Sequence, residues 1–451
     1  MKQKTNKSGL RARAALFACF ALVLALPLGA QTAEPQFSAA DLEKPAANEA
    51  YTPRSGVFEA SMGTISSDVD SFMSVFDFSN LKPLKLFGYM GLDGSISGGL
   101  NGGFGTNIGK VYLGISYGGT AIGEVVRLIP DQNMVDNVSH NSLNVLVGFG
   151  IVGIKLGFSE YIEAEDFTDG NIREISLKPS LEAGFNIKTG PIQIRPAIRG
   201  AFDLHNYHTT TTVGNDTQKT LTDFTEPSVG LTLGFDFLHS EKDLLQLDIA
   251  ADGAMRLYKS SGKDGISATL TNAGGVTKDE ASKIGDVRVT ANTAIHYRRN
   301  FNQRLTLGIK AGGDVSFDYL KLPQTSASAP DFEYTGMVTA LSITPNLDVG
   351  AQVNLIPEHF SLYAGLGASI MTFSQSDITD IVTKISDKTS TKTVTNNSEI
   401  EWMPSPSPRA AIGLKLNFTA NTAIDLLARA EGLDLTSIES TKFTALFTMK
   451  K

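Results

Sequence analysis

The stretch "EISLKPSLEAGFNIKTGPIQIRPAIRGAFDL", residues 174–204, decides the fold. One parity reads Ile175, Leu177, Pro179, Leu181, Ala183, Phe185 and Ile187; after Lys188-Thr189-Gly190 it resumes as Ile192, Ile194, Pro196, Ile198, Gly200, Phe202 and Leu204. The other parity carries Lys178, Glu182, Arg195, Arg199 and Asp203. A period of two belongs to a β-strand, whose successive side chains point to opposite faces. The stretch is a hairpin with one apolar and one polar face.

The scheme recurs along the chain. In residues 227–258, Val229, Leu231, Leu233, Phe235, Phe237, Leu245, Leu247, Ile249 and Ala251 oppose Asp236, Asp248, Asp252 and Arg256. In residues 286–320 the polar parity holds Arg288, Asn292, His296, Arg298, Arg304, Lys310, Asp314 and Asp318. Residues 337–374 and 404–430 repeat the pattern and add Asp348, Lys415, Asp425, Arg429 and Glu431 to the polar side. The apolar parity of these hairpins carries no charge although 19% of the chain is charged, so an apolar medium covers that face.

A soluble sandwich also keeps charge off its inner face, but three features select lipid. The strands run to about 15 residues, against about 5–6 in globular sheets and about 9–11 for a tilted membrane strand. Tight turns alternate with long polar connections near 206–223, 259–284 and 376–401, the rhythm of outer-membrane barrels. Phe185, Phe235, Phe237, Tyr297, Phe360 and Phe418 sit on the apolar parity beside the tight turns, where a membrane interface collects aromatic rings. Beyond the N-terminal 30 residues no apolar run is long enough for a spanning helix.

The expected fold is therefore all-β, a transmembrane up-and-down antiparallel β-barrel of about 16 strands, with 14 as the alternative. Strands are expected near 56–64, 86–104, 111–121, 142–151, 154–162, 173–187, 191–204, 224–238, 243–258, 285–298, 303–320, 337–355, 360–374, 404–418, 423–434 and 441–449. The first of these and the Gly-rich stretch of 86–104 are the least regular, since Asn101-Gly102 can itself make a hairpin turn.

Residues 1–30 read as a secretory signal peptide. Five basic residues precede an apolar stretch from Ala14 to Leu28, and cleavage after Ala30 fits despite Leu28 at the −3 position. Cys19 lies inside that stretch in "LFAC", only loosely a lipoprotein box, and cleavage there would leave half the apolar run attached. Cys19 is the only cysteine, so the mature chain carries no disulfide. Losing five basic and no acidic residues leaves 34 basic against 47 acidic, a net −13, which argues against nucleic acid as a partner. Residues 31–55, with three prolines and no strand period, are expected to form a flexible periplasmic arm or a plug, and 56–451 the barrel.

Two enzyme-like signals were weighed. "NVLVGFGIVGIKLGF", 144–158, contains G-x-G-x-x-G, but a dinucleotide site needs a helix next. Instead Ile154, Leu156 and Phe158 continue a strand period, so the reading is a hairpin turning near Val152-Gly153. Of six histidines only His296 points to the polar face of a strand away from a loop or turn; His205-x-x-His208 lacks further ligands at metal-site spacing. No catalytic centre, metal or cofactor is assigned.

"DVDSFMSVFDF" (68–78), "LFGYMG" (86–91) and "GFGTNIGKVYLGISYGG" (103–119) resemble the N-terminal part of secreted β-barrel paralogues of spirochaetes, a family whose functions are largely unassigned. The resemblance implies an outer-membrane barrel placed by the assembly machinery. One departure is the ending Met449-Lys450-Lys451, where such barrels end on an aromatic; Phe447 alternates correctly and stands in for it.

The expected function is an outer-membrane, porin-like channel passing small hydrophilic solutes through a polar lumen of mixed charge. Its lining would be Lys178, Glu182, Arg195, Arg199, Asp203, Asp248, Asp252, Arg256, Arg288, His296, Arg298, Arg304, Lys310, Asp314, Asp318, Lys415 and Arg429. Pairs such as Glu182 with Arg195 and Arg288 with Asp314 would hold register between neighbouring strands. The alternative is a surface barrel that binds a host ligand through Thr-rich outer loops.

Overall fold

The computed structural model describes residues 61–65, 68–81, 86–93, 99–119, 137–167, 170–213, 216–240, 242–258, 266–271, 277–282, 285–324, 332–369, 372–386, 389–403, 407–431 and 441–451. The expected signal peptide and the 31–55 arm lie outside these. A short helix α1 (Asp68–Phe72) and a 310 helix (Asp77–Leu81) come first. The strand segments are β1 Leu86–Asp93, β2 Gly99–Ile108, β3 Val111–Gly119, β4 Asn137–Phe149, β5 Val152–Phe167, β6 Gly170–Phe185, β7 Ile187–Thr189, β8 Ile192–Val213, β9 Asp216–His239 and β10 Asp243–Tyr258. They continue as β11 Ile266–Thr271, β12 Thr277–Ser282, β13 Gly285–Asn302, β14 Leu305–Gln324, β15 Phe332–Ile356, β16 Phe360–Ser369, β17 Thr372–Ser386, β18 Thr389–Met403, β19 Ser407–Thr419, β20 Thr422–Glu431 and β21 Thr441–Lys450.

Five pairs of segments share a place in the wall (β6 with β7, β10 with β11, β12 with β13, β16 with β17, β18 with β19), so the wall is a closed antiparallel barrel of 16 strands. Closure runs through β1 and β21, in register from Phe87↔Lys450 to Asp93↔Thr444. Leu86 and Lys451 exchange two backbone hydrogen bonds of 3.1 and 2.9 Å there, which puts both ends of the wall at the tight-turn rim. In lipid every backbone donor and acceptor must be met within the protein, and closure meets them.

The two faces divide as the alternation requires. Leu231, Ile309, Leu366 and Ile412 are 58%, 47%, 69% and 61% exposed on the outside, as side chains in lipid must be. Phe149, Phe185, Phe237, Phe301 and Phe418 are exposed near the tight turns. Three of those turns use a glycine in the left-handed region, Gly109, Gly150 and Gly190, and a fourth uses Glu358 at φ 67°.

The strand count agrees with expectation through two compensating differences. The expected strand over 56–64 is, in its described part, a turn at Ser61–Thr64 inside the barrel. The expected single strand over 86–104 is instead the hairpin β1–β2, paired from Leu86↔Thr106 to Asp93↔Gly99. Asn101 and Gly102 lie within β2, opposite Gly91 and Met90. Glycine carries no side chain to mark a face, so period counting ran the two strands together.

The long connections also differ from expectation. Residues 206–223 continue β8 and β9 to Val213 and Asp216, and 376–401 form most of β17 and β18, paired as far as Ser386↔Thr389. Part of 259–284 is the hairpin β11–β12. These runs are polar on both parities, which hid the strand period, while their threonines favour extended backbone.

Leu233→Arg and Ile309→Arg place a charge in the apolar band and should each lower stability by about 2–4 kcal/mol. Lys310→Gln, on the opposite face, should change it far less. Denaturant unfolding from lipid vesicles measures the difference, and equal losses in all three would mean that the faces have been exchanged.

Candidate functional site

Residues 61–65 and 68–81 lie within the closed wall, because they touch inner faces on opposite sides of it. Phe72, Met73, Val75, Phe78 and Leu81 are buried against Phe87, Tyr89, Tyr112, Leu146, Ala197 and Leu446. Phe72 meets Phe87 and Tyr89 at ring distances of 5.4 Å each, and Phe78 stacks on Tyr112 at 5.9 Å. Tyr112 donates its hydroxyl to the Phe72 carbonyl (3.1 Å), Asn107 its amide to Leu81 (3.0 Å) and Asn186 its amide to Phe76 (3.1 Å). Across the barrel, Met62 and Ile65 pack with Tyr363, Ala411 and Leu427. All these wall residues except Ala197, Ala411 and Leu446 stand within a few positions of the tight turns.

The glycines of "NVLVGFGIVGIKLGF" are explained by this segment. Gly150 and Ile151 form the turn, two residues earlier than expected, with Gly150 at φ 58°. Gly148 lies directly under the Phe78 ring, and Gly153 against the Val75 backbone; a Cβ at either would collide. The inner faces of β1–β4 differ in kind from the rest of the wall. Among their described inner positions Phe87, Tyr89, Tyr112 and Leu146 are buried beside the polar Asn101, Ser116, Ser142 and Asn144. The signal in the sequence is aromatic residues on both parities, with Phe87, Tyr89 and Tyr112 inside and Phe104, Tyr117 and Phe149 outside.

The charged inner positions lie mainly on β5–β20. Arg195 reaches across β9 to Asp248 of β10 at 3.0 Å and also holds Asp236 at 2.9 Å. Arg199 reaches Asp252 in the same way at 2.5 Å. The strand between offers Gly234 and Gly230 at those crossings, so the pairs lie flat upon it. Arg409 of β19 repeats the device, reaching Asp348 of β15 at 2.7 Å over Gly367 of β16. Glycine at the crossing is what permits a next-but-one pair, since a side chain there would stand between the partners.

Other charges pair with direct neighbours. Glu182 pairs with Lys155 at 2.5 Å, directly opposite in register, and not with Arg195. Arg288 pairs with Asp318 at 3.0 Å, and not with Asp314. Asp314 accepts from Asn292 (2.5 Å) and Asn346 (3.0 Å). Lys415 faces Asp425 at 3.8 Å. Arg256 binds Glu226 at 3.0 Å with its guanidinium 4.1 Å from the Phe224 ring, on which His205 also stacks at 4.2 Å. Asp203 accepts the Ser176 hydroxyl at 2.7 Å, near Lys178 and Arg256.

His296 brings Nε2 to 3.4 Å from Asp248 and faces Lys310 across the strand pair. Arg298 lies opposite Leu244 and Gly308, and Arg429 opposite Ala411. Arg304 is the exception: it sits exposed in the turn between β13 and β14, its N–H donating to Asn302 Oδ1 at 2.8 Å. The turn is residues 303–304, where the sequence reading began the strand 303–320, so an even-numbered Arg304 was counted onto the wall. His205 is buried beside Glu174 (3.5 Å) while His208 is exposed, because residues three apart on a strand face opposite ways; the two do not form a metal pair. Among the described residues no group of three metal-binding side chains converges.

No protein-family model matches the chain, and no curated protein matches it in sequence. Solved structures do resemble it. CdiB from Escherichia coli aligns over 81% of this chain at 12% identity and a TM-score of 0.41, and the chain spans 63% of CdiB's length. The Ralstonia pickettii toluene transporter TbuX aligns over 90% of this chain and 99% of its own at 11% identity and a TM-score of 0.42. The Pseudomonas putida toluene transporter TodX aligns over 89% of this chain and 98% of its own at 8% identity and a TM-score of 0.40.

Proposed function

We propose that the protein is an outer-membrane channel for small hydrophilic solutes, with its own residues 61–65 and 68–81 standing in the path near the tight-turn mouth. The carrying observation is the inner wall of β5–β20, where Arg195, Arg199 and Arg409 are laid across glycines onto aspartates two strands away. Such a wall is polar and nearly balanced in charge, yet its side chains lie along it and leave the interior to water. Water-filled lumina with both signs of charge suit hydrated solutes, and an apolar cargo would have to shed its own surroundings for a charged wall. The signal-peptide reading of residues 1–30, the likeness of 68–119 to spirochaete barrels and the outward-facing Phe447 of the last strand support export to that membrane.

A second role is favoured by one feature. The hairpins β8–β9 and β17–β18 run to 22, 24, 15 and 15 residues, and on them polar, Thr-rich ends extend past the apolar band. They offer a surface for an extracellular ligand without altering passage through the wall.

In planar bilayers the refolded protein should show discrete conductance steps, and vesicles bearing it should swell in small sugars. A folded barrel without either activity overturns the channel. Arg199→Gln should move the reversal potential in a KCl gradient toward cations, and adding Asp252→Asn should return it, because the pair is neutral to a passing ion. An uncorrected shift in the double variant would mean that Arg199 acts alone. If the hairpins only bind, replacing residues 206–223 with a short turn should leave conductance unchanged.

A further inference from the structure

The inner segment has two seats of unequal kind. Residues 72–81 fill an apolar core lined by six aromatic and aliphatic wall side chains, and three wall side chains hold their carbonyls. The turn Ser61–Ile65 stands on the opposite wall, where only Met62 and Ile65 enter a small apolar cluster. Two hydrogen bonds tie the turn internally: Thr64 Oγ1 donates to the Ser61 carbonyl at 2.7 Å, and the Ile65 N–H donates to Ser61 Oγ at 2.9 Å.

The turn is also strained. Met62 and Gly63 are consecutive left-handed residues, at φ 53° and 76°, a conformation that a residue with a Cβ rarely adopts unless its surroundings hold it there. What holds Met62 is its burial against Tyr363, Ala411 and Leu427. The turn's footing is Gly308 and Gly350, which face each other across β14 and β15. A Cβ on Gly350 would strike the Ser61 carbonyl and the Thr64 hydroxyl, and one on Gly308 would strike Thr64. Leaving this seat releases the backbone strain; leaving the other would expose an aromatic core to water.

The wall beneath the turn has its own charge. Arg298 lies opposite Gly308 with Lys310 two residues along from that glycine, Arg429 lies opposite Ala411, and Arg409 and Lys415 are two and four residues from Ala411. Arg409 and Lys415 are paired with Asp348 and Asp425, so Arg298, Lys310 and Arg429 set the balance. With five basic against these two acidic side chains, the wall beside the turn is net cationic.

We propose that Ser61–Ile65 is a gate: it leaves the Gly308–Gly350 footing while Phe72–Leu81 stays docked, and the path it opens along β13–β20 favours small anions. This rests on the channel reading above and adds to it which part moves and what passes.

The test uses the full chain with Cys19→Ser, refolded into lipid. Motion is read without conductance, by adding Met62→Cys or Phe78→Cys and timing their reaction with a small maleimide. The gate requires Met62→Cys to react at least tenfold faster; equal rates overturn it. For passage, the pair Thr64→Cys with Gly308→Cys should abolish conductance when oxidised and regain it when reduced. The pair Val75→Cys with Gly184→Cys, which fastens the docked part, should leave conductance at the level of the parent. Gly350→Ala, which displaces the turn without a new bond, should raise conductance with a chloride-favouring reversal potential. A conducting protein indifferent to the first lock, or a potassium-favouring Gly350→Ala, overturns the proposal. A tenfold labelling difference with no conductance in any variant supports the moving turn and sinks the channel.

Discussion

A polypeptide in hydrocarbon has nothing outside itself to bond with, and the rest of this structure follows from that constraint. Sixteen strands satisfy one another's backbone groups only if the last meets the first, which β21 and β1 do with seven paired positions ending at the rim where Leu86 and Lys451 exchange hydrogen bonds. Once the wall is closed, each strand has an outside that must be apolar and an inside that need not be. The lipid fixes the first face residue by residue. The second is free to carry whatever the protein does.

That freedom is used in two ways on two parts of the wall. On β1–β4 the inside is aromatic and glycine-rich, with Phe87, Tyr89, Tyr112 and Leu146 receiving Phe72, Met73 and Phe78 as a soluble core would. On β5–β20 it is charged, and the charges are drawn into pairs. Arg195 answers to both Asp236 and Asp248, and Arg409 to Asp348. A long flexible cation left alone on such a wall would reach into the lumen. Held by a carboxylate over a glycine it lies against the sheet, so pairing governs the width of the passage as much as its electrostatics.

Much of this was legible from residue order. Alternation in 174–204 and its repeats marked strands, faces and the barrel, and the tight turns fell within a few residues of their expected places. Arg195, Asp248, Arg288 and Lys310 alternate in the chain with apolar neighbours such as Ile194, Leu247, Val289 and Ile309. What failed had local causes. The hairpin β1–β2 was read as one strand because glycines at Gly99, Gly102, Gly103 and Gly105 leave no periodic mark. The tall ends of β8, β9, β17 and β18 were read as loops because both their parities are polar. Arg304 was counted onto the wall because the turn lies at 303–304, a few residues later than expected.

The sequence by itself determined the two-sidedness of every well-marked strand, because a period of two is a local property and lipid admits only one kind of side chain on the outside. The partners were decided by the closed wall. Arg195 and Asp248 are 53 positions apart in the chain, and Gly148 and Phe78 are brought together only when residues 68–81 fold back inside. Neither meeting has a periodic signature, since a glycine that admits a ring and a glycine that makes a turn are the same letter. Only the position of the chain in space distinguishes them.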